Sequence, residues 1–370
     1  MFLRELCLNN FRLFPFIELE FGDEFNVLSG MNGQGKTSIL EAIHYLTLTR
    51  SFRVNDDSAA VRFTSDHFDI TARFFLNPAE TNNVRIFYSP GQGKNFFING
   101  KKIMTFAEVI GLIPCVISTL DDLKLIFGAP ADRRRFMDIV LAQTSSIYLQ
   151  DLKIYRQILQ QRNALLNSAN RSAIRQQMDG WNKQIINYGA QIIRRRLDFV
   201  DFLNRHLAGF YSGFTGQIEQ VQAVYKTDIF SMDDSFDPAE IEKLYGKKLE
   251  KMFDIECEKK MTLYGPHRDD LEFYRNNKST RQFSSLGENK IFVLCLKFCE
   301  WKYLMTKKGQ KPLLLLDDIF AELDKNKCQQ VFSIMQEMGQ VFITTTGQNE
   351  LPQSRAIKNY IIADGEAHAL

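Results

Sequence analysis

The chain has 370 residues, of which 45% are apolar and 24% charged, an ordinary composition for a folded protein with a sizeable core. That composition excludes a disordered chain, a collagen-like repeat and a disulfide-rich mini-protein, and the length fits two or three domains. Charges nearly cancel, 46 Lys+Arg against 44 Asp+Glu, so any nucleic-acid contact must come from a local basic patch.

The first thirty residues read as strands. Ile17, Leu19 and Phe21 alternate with Glu18, Glu20 and Gly22, the period of a half-buried strand, and Phe25–Ser29 is a short apolar strand running into Gly30. From Lys36 the period changes, with Ile39, Ile43 and Leu46 at helical spacing. Residues 68–99 return to period two. Phe68–Phe74 and Val84–Tyr88 are expected as neighbouring antiparallel strands, with turns at Ser89–Gly93 and Asn99-Gly100, forming a β-rich subdomain. Between about residue 130 and residue 255 there is little strand signal and much helix. Leu149, Leu152, Tyr155, Leu159 and Leu166 make one expected face; Trp181, Ile185, Tyr188, Ile192 and Arg195 make a second, beyond the polar loop Asn167–Ser172. Heptads are not sustained, which argues against a long coiled coil. Strand signal resumes near residue 261 and ends in the apolar runs Leu313–Leu316 and Val341–Ile343.

No run approaches the roughly 18–20 apolar residues of a membrane span. The opening Met1-Phe2-Leu3-Arg4-Glu5-Leu6 carries an early acid and no small-residue cleavage pattern. A cytoplasmic protein with no membrane partner is expected. Cys7, Cys115, Cys257, Cys295, Cys299 and Cys328 include no C-x-x-C pair and read as buried thiols.

One motif carries chemistry. Gly30-Met31-Asn32-Gly33-Gln34-Gly35-Lys36-Thr37 is a complete G-x-x-x-x-G-K-[ST] phosphate loop between a strand and a helix. Its backbone N–H groups and the helix N-terminus suit a phosphate chain. Lys36 is expected to contact the β and γ phosphates of ATP, and the Thr37 hydroxyl to ligate Mg²⁺. The acidic partner is Leu313–Leu316 followed by Asp317-Asp318: Asp317 for the Mg²⁺ shell, Asp318 to polarise the attacking water. Lys36 and Asp317 lie 281 residues apart, and no N-K-x-D tetrapeptide occurs, which counts against a compact kinase or a GTPase. A helical insert must therefore split the sheet. Upstream of the acidic strand, Ser285-Leu286-Gly287 opens an apolar helix, an ordinary cap or a grip for the γ-phosphate on a second subunit.

These elements together with Glu322-Leu323-Asp324 resemble the ABC-type ATPase heads of SMC and related DNA-repair proteins. Further strings resemble the RecF family: Gly35–Ile43, Arg50-Ser51-Phe52-Arg53, Asp121-Asp122-Leu123, Gly128-Ala129-Pro130, Arg133–Asp138, Tyr155, Gln161–Leu166 and Gly265–Leu271. The resemblance implies an α/β fold, a P-loop ABC-type ATPase head with a β-rich subdomain and an inserted α-helical arm domain. The head is expected at 1–117 and 256–370, the arm at 118–255. It implies an ATP-dependent homodimer that binds DNA, single-stranded or at gapped duplex junctions, and hydrolyses ATP weakly. It further implies work with RecR and RecO in loading RecA, in repair, replication, recombination and the SOS response.

By the same resemblance Ser285 and Gly287 would act across the dimer, and Thr346 would stand where ABC transporters carry a switch His. Three strings depart from the family. The signature turn, usually Ser-Gln-Gly-Gln-Gln-Arg, reads Ser285-Leu286-Gly287-Glu288-Asn289-Lys290. Gly347 stands where Asp is common, and Thr119–Leu123 replaces Ser-Pro-Glu-Asp-Leu. Arg133-Arg134-Arg135 and Arg194-Arg195-Arg196 are the densest basic clusters, open to DNA contact or to internal ion pairing. His267 and Arg268 precede a strand rather than the phosphate loop and read as structural. Two functional readings stand: an ATPase switch on DNA, and a non-hydrolytic ATP-bound scaffold for partner proteins. A transporter ATPase fits the helical insert and the Gly265–Leu271 string less well.

Overall fold

The computed structural model describes residues 1–77, 80–167, 171–231, 237–320, 325–347 and 357–369. In chain order the first elements are β1 (Phe2–Phe11), β2 (Phe14–Glu20), β3 (Phe25–Ser29) and α1 (Lys36–Leu48). There follow β4 (Phe68–Asn77), β5 (Glu80–Ser89), β6 (Gly93–Ile98), β7 (Lys101–Lys102) and β8 (Cys115–Ser118). Next come α2 (Lys124–Phe127), α3 (Pro130–Thr144), α4 (Ser146–Leu166), α5 (Arg171–Thr215), β9 (Val221–Lys226) and α6 (Pro238–Lys259). The rest are β10 (Asp270–Arg275), β11 (Lys278–Ser279), α7 (Thr280–Phe283), α8 (Leu286–Lys308), β12 (Leu313–Asp317), α9 (Lys325–Met335), β13 (Val341–Thr345), β14 (Ile357–Ala363) and β15 (Glu366–Ala369). The chain divides into two compact units, 1–122 with 209–218 and 286–370, and 123–208 with 219–285.

The first unit holds two six-stranded sheets, β2-β1-β4-β5-β6-β7 and β15-β14-β3-β13-β12-β8. The first sheet is antiparallel throughout. The period-two strands before the phosphate loop and those after α1 thus share one sheet, because β1 pairs with both β2 and β4. In the second sheet β14, β3, β13, β12 and β8 run parallel. Its middle strands are buried along their length, Phe25–Ser29 in β3 and Val341–Thr345 in β13, as expected for strands covered on both faces. α1 is buried on nearly every side, and one apolar cluster joins its Ile39, Leu40, Ile43 and Leu46 to Leu6 and Ile70 of one sheet and Leu315 and Phe342 of the other. Burial of this kind explains why α1 carries apolar residues such as Tyr45 and Leu48 beyond the expected stripe.

The second unit combines helices with the sheet β11-β10-β9. Strand β9 lies inside the stretch expected to be helical. Its Val221, Ala223 and Tyr225 are buried in alternation, and it pairs antiparallel with β10. That pairing groups residues 256–285 with the helices rather than with the first unit. The buried face of α4 is centred on Tyr148, Leu152, Tyr155 and Ile158, with Leu149 and Leu159 at its margins. The expected face was offset because Tyr148 and the buried polar residues Asp151 and Arg162 belong to it. On α5 it is Arg196, not Arg195, that continues the buried face of Ile185 and Ile192. The polar loop before α5 includes residues 168–170, which lie outside the described residues, as do Glu322, Leu323 and Asp324. Among the described residues no helix is long and apolar enough to cross a membrane. Cys115, Cys257, Cys295, Cys299 and Cys328 are buried free thiols, and Cys7 is half-buried.

Candidate functional site

The parallel order β3-β13-β12 places three strand ends side by side. Register pairs Thr345 with Ser29, the residue before Gly30, and Thr344 with Asp317. The phosphate loop and the acidic strand end therefore meet across one intervening strand, at the carboxyl edge where parallel α/β sheets bind ligands. Thr37 Oγ1 donates to Asp317 Oδ1 at 2.8 Å, and Thr344 Oγ1 donates to the same oxygen at 2.8 Å. Thr344 Oγ1 in turn accepts the Asp318 N–H at 2.9 Å. Asp318 takes φ 55°, a left-handed conformation that costs energy outside glycine and is met at functional sites.

Lys36 Nζ donates to the carbonyls of Gly30 and Met31 at 2.6 and 2.8 Å, closing the loop over the first turn of α1. Burial pulls the Lys36 ammonium below its ordinary value, and the Asp318 and Asp317 carboxylates oppose that shift. Met31, Asn32 and Gly33 are exposed at the tip, and Gln34 Oε1 accepts the Asp364 N–H at 2.8 Å. Gly30, at φ 149°, lies against β14: a Cβ there would sit 2.3 Å from the Ile362 carbonyl oxygen. Gly33, at φ 85°, faces open space, with nothing within 4 Å of a Cβ.

A cavity of about 1100 Å³ adjoins the loop, with Arg12, Lys36, Thr37, Arg53, Phe63 and Asp318 in its wall. Backbone N–H groups at a helix N-terminus suit phosphate, and the Thr37 hydroxyl beside the Asp317 carboxylate is a hard-oxygen pair that suits Mg²⁺. The donor set thus fits a phosphate chain carrying a divalent cation.

Of the residues singled out from sequence, Gly30 to Thr37, Asp317 and Asp318 come together here. Ser285 is the last residue of the second unit and Gly287 stands in the first turn of α8. Both are exposed, as is Leu286 between them at 55%. Thr346 is exposed just beyond β13, and Thr344 is the threonine that bonds Asp317. Arg12, Glu41, Arg53, Phe63 and Thr344 are site residues that motif reading did not assign. Only the pair Arg53 and Glu41 lay within quoted family strings, and neither string indicates a role.

Most of the two basic triplets is committed internally, while Arg135 is exposed. Arg133 forms a bidentate pair with Asp270 at 2.7 and 2.8 Å, and Arg134 donates to the Asp269 carbonyl at 2.8 Å. Arg194, Arg195 and Arg196 pair with Asp198, Asp151 and Asp138. His267 is held neutral between the Tyr155 hydroxyl on Nδ1 at 2.7 Å and the Thr262 carbonyl on Nε2 at 3.1 Å. Burial lowers its pKa to about 4. Arg133, Arg134, Arg195, Arg196 and His267 therefore hold the second unit together.

Known proteins share this fold. The model of the RecF/RecN/SMC N terminal domain family matches residues 2–367. The DNA replication and repair protein RecF of Chloroherpeton thalassium is 39% identical over 334 residues, 90% of this chain and 91% of that protein. Among solved structures, the recombination mediator protein RecF-ATPrS in the RecFOR pathway is 28% identical, with a TM-score of 0.89 over 100% of this chain and 98% of that one. The RecF-ATP structure from the same pathway is 27% identical, with a TM-score of 0.88 over 100% and 97%.

Proposed function

The chain belongs to the RecF family of DNA replication and repair proteins, and we propose that ATP with Mg²⁺ closes two copies of it on DNA and that slow hydrolysis reopens them. The observation that carries this reading is the Thr37 hydroxyl 2.8 Å from the Asp317 carboxylate, beside the Lys36 ammonium. Thr37 and Asp317 would hold Mg²⁺, whose contribution is to neutralise charge on the β and γ phosphates. Lys36 would leave its loop carbonyls for the phosphate oxygens, and the N–H groups of Asn32, Gly33, Gln34 and Gly35 would cradle the chain. Asp318 is the proposed base: it accepts a proton from water as the oxygen attacks the γ-phosphorus and the bond to the β-phosphate oxygen breaks, leaving ADP and phosphate. Ser285 and Gly287 would address the γ-phosphate held by the second copy.

In the cell this switch would act in the cytoplasm on gapped DNA, with RecO and RecR, to load RecA during repair, replication and SOS induction. The RecFOR pathway named for the similar RecF structures supports that setting. Sedimentation velocity of the full chain with gapped duplex DNA tests the reading. The expected result is a DNA-bound dimer with Mg-ATP, a monomer without nucleotide, and a monomer in both conditions for Lys36→Ala. The same sedimentation with and without ATP would overturn it.

A further inference from the structure

The tip of the phosphate loop carries a dipeptide with a chemistry of its own. Asn32-Gly33 is one of two Asn-Gly pairs in the chain, the other being Asn99-Gly100. In such a pair the glycine nitrogen can attack the side-chain amide carbon of the asparagine, because no Cβ shields that nitrogen. The N–Cγ bond forms as the Cγ–Nδ2 bond breaks, and Nδ2 leaves as ammonia with the proton from the glycine nitrogen. Water then opens the succinimide ring at either carbonyl, leaving aspartate or its isoaspartyl isomer.

The two pairs are alike in exposure and differ in how the amide is held. All four residues are exposed, and a Cβ at either glycine would meet nothing within 4 Å. Asn99 is nevertheless tied down. Its Oδ1 accepts the Asn83 N–H at 2.8 Å, its Nδ2 donates to Asn82 Oδ1 at 2.9 Å, and its own N–H donates to the Asn83 carbonyl at 2.8 Å. Turning Cγ toward the Gly100 nitrogen must break the bonds that pin this amide to β5. The Asn32 side chain makes no hydrogen bond among the described residues and borders the cavity beside the loop. Lys36 holds the Gly30 and Met31 carbonyls before it, and the Asp364 N–H holds the Gln34 side chain after it. The stretch of loop between those anchors is Asn32-Gly33 itself.

We propose that Asn32-Gly33 is a site of spontaneous deamidation that ATP shields. The shielding rests on reading this loop as the ATP cradle: a phosphate oxygen bonded to the Gly33 N–H keeps the proton on that nitrogen and fixes the backbone around it. The product disarms the same loop. A carboxylate at residue 32 repels the phosphate chain, and the isoaspartyl form lengthens the backbone that must wrap it.

Incubation of the full chain at mildly alkaline pH, with and without saturating Mg-ATP, tests this, with both pairs followed by peptide mass spectrometry. Without nucleotide, Asn32 is expected to convert several-fold faster than Asn99. Mg-ATP is expected to slow Asn32 and leave Asn99 unchanged. Asn32→Asp is expected to bind a fluorescent ATP analogue about tenfold more weakly than fresh wild type while melting at the same temperature. Asn99 converting as fast as Asn32, wild-type affinity in Asn32→Asp, or no slowing by ATP in protein that binds it would overturn the proposal. Protein that binds no ATP would remove the ATP reading and the shielding with it, while the order of the two pairs without nucleotide still decides the site.

Discussion

Two glycines of the phosphate loop should fail in different ways when changed to alanine. At Gly33 the added Cβ meets nothing within 4 Å, and the only penalty is the φ of 85°. Holding an L-residue in a left-handed conformation costs on the order of 1–2 kcal/mol. The exposed tip can relax in the free protein, so that cost is paid when a phosphate chain restores the cradle. Gly33→Ala is therefore expected to weaken ATP binding about 5- to 30-fold, by the tenfold-per-1.4 kcal/mol conversion, and to leave the melting temperature unchanged. Gly30 has no such freedom. Its Cβ would stand 2.3 Å from the Ile362 carbonyl oxygen and 3.3 Å from the carbonyl carbon, both backbone atoms of β14. That strand is paired on both sides, Ile361 with Ser29 and Ile362 with Ala367, so yielding disturbs two ladders. Overpacking of this kind costs about 1–3 kcal/mol beyond the φ penalty, and it falls on the folded state itself. Calorimetry should find Gly30→Ala melting about 2–4 °C lower per kcal/mol lost, with ATP binding weakened as well. A Gly30→Ala protein that melts like wild type, or a Gly33→Ala protein that melts early, would refute the reasoning.

Two predictions concern the second unit. Arg162 and Glu256 are both fully buried and joined at 2.6 Å, with Thr262 and Asn182 accepting the other guanidinium donors at 2.7 and 2.9 Å. Removing one partner of such a pair costs about 3–5 kcal/mol, so Glu256→Ala should lower the melting temperature clearly, and unchanged melting would show that the pair holds little. His267, with its pKa lowered to about 4, binds a proton more readily when unfolded. Its contribution is complete above the unfolded value near 6.5 and is lost as pH falls from there to about 4, a window worth about 3 kcal/mol at 1.36 kcal/mol per unit. Denaturant titrations across that range should therefore show wild type losing ground to His267→Gln as the solution is acidified, and parallel pH curves would contradict the assignment.

What the sequence made legible was local. The phosphate loop and the Leu313–Asp318 run each carry their chemistry within eight contiguous residues or fewer, so spacing alone identified them. Thr344 was not legible, because its role follows from β13 lying between β3 and β12, a fact of strand order. Arg12 reaches Glu41 across 29 residues through a left-handed turn, and no periodicity announces that. The arginine triplets look alike in sequence whether they face solvent or pair internally; their partners Asp270, Asp138 and Asp151 are far along the chain or a helix away. Strand β9 does alternate, but six residues between long helices give a short signal against a strong helical background.

The most direct test of the ATPase switch is ATP turnover by the full chain with and without gapped duplex DNA, for wild type and Asp318→Asn. The account predicts slow turnover that rises with DNA in wild type, and none in Asp318→Asn although ATP still binds. Equal turnover in the two proteins, or a wild-type rate indifferent to DNA, would contradict it.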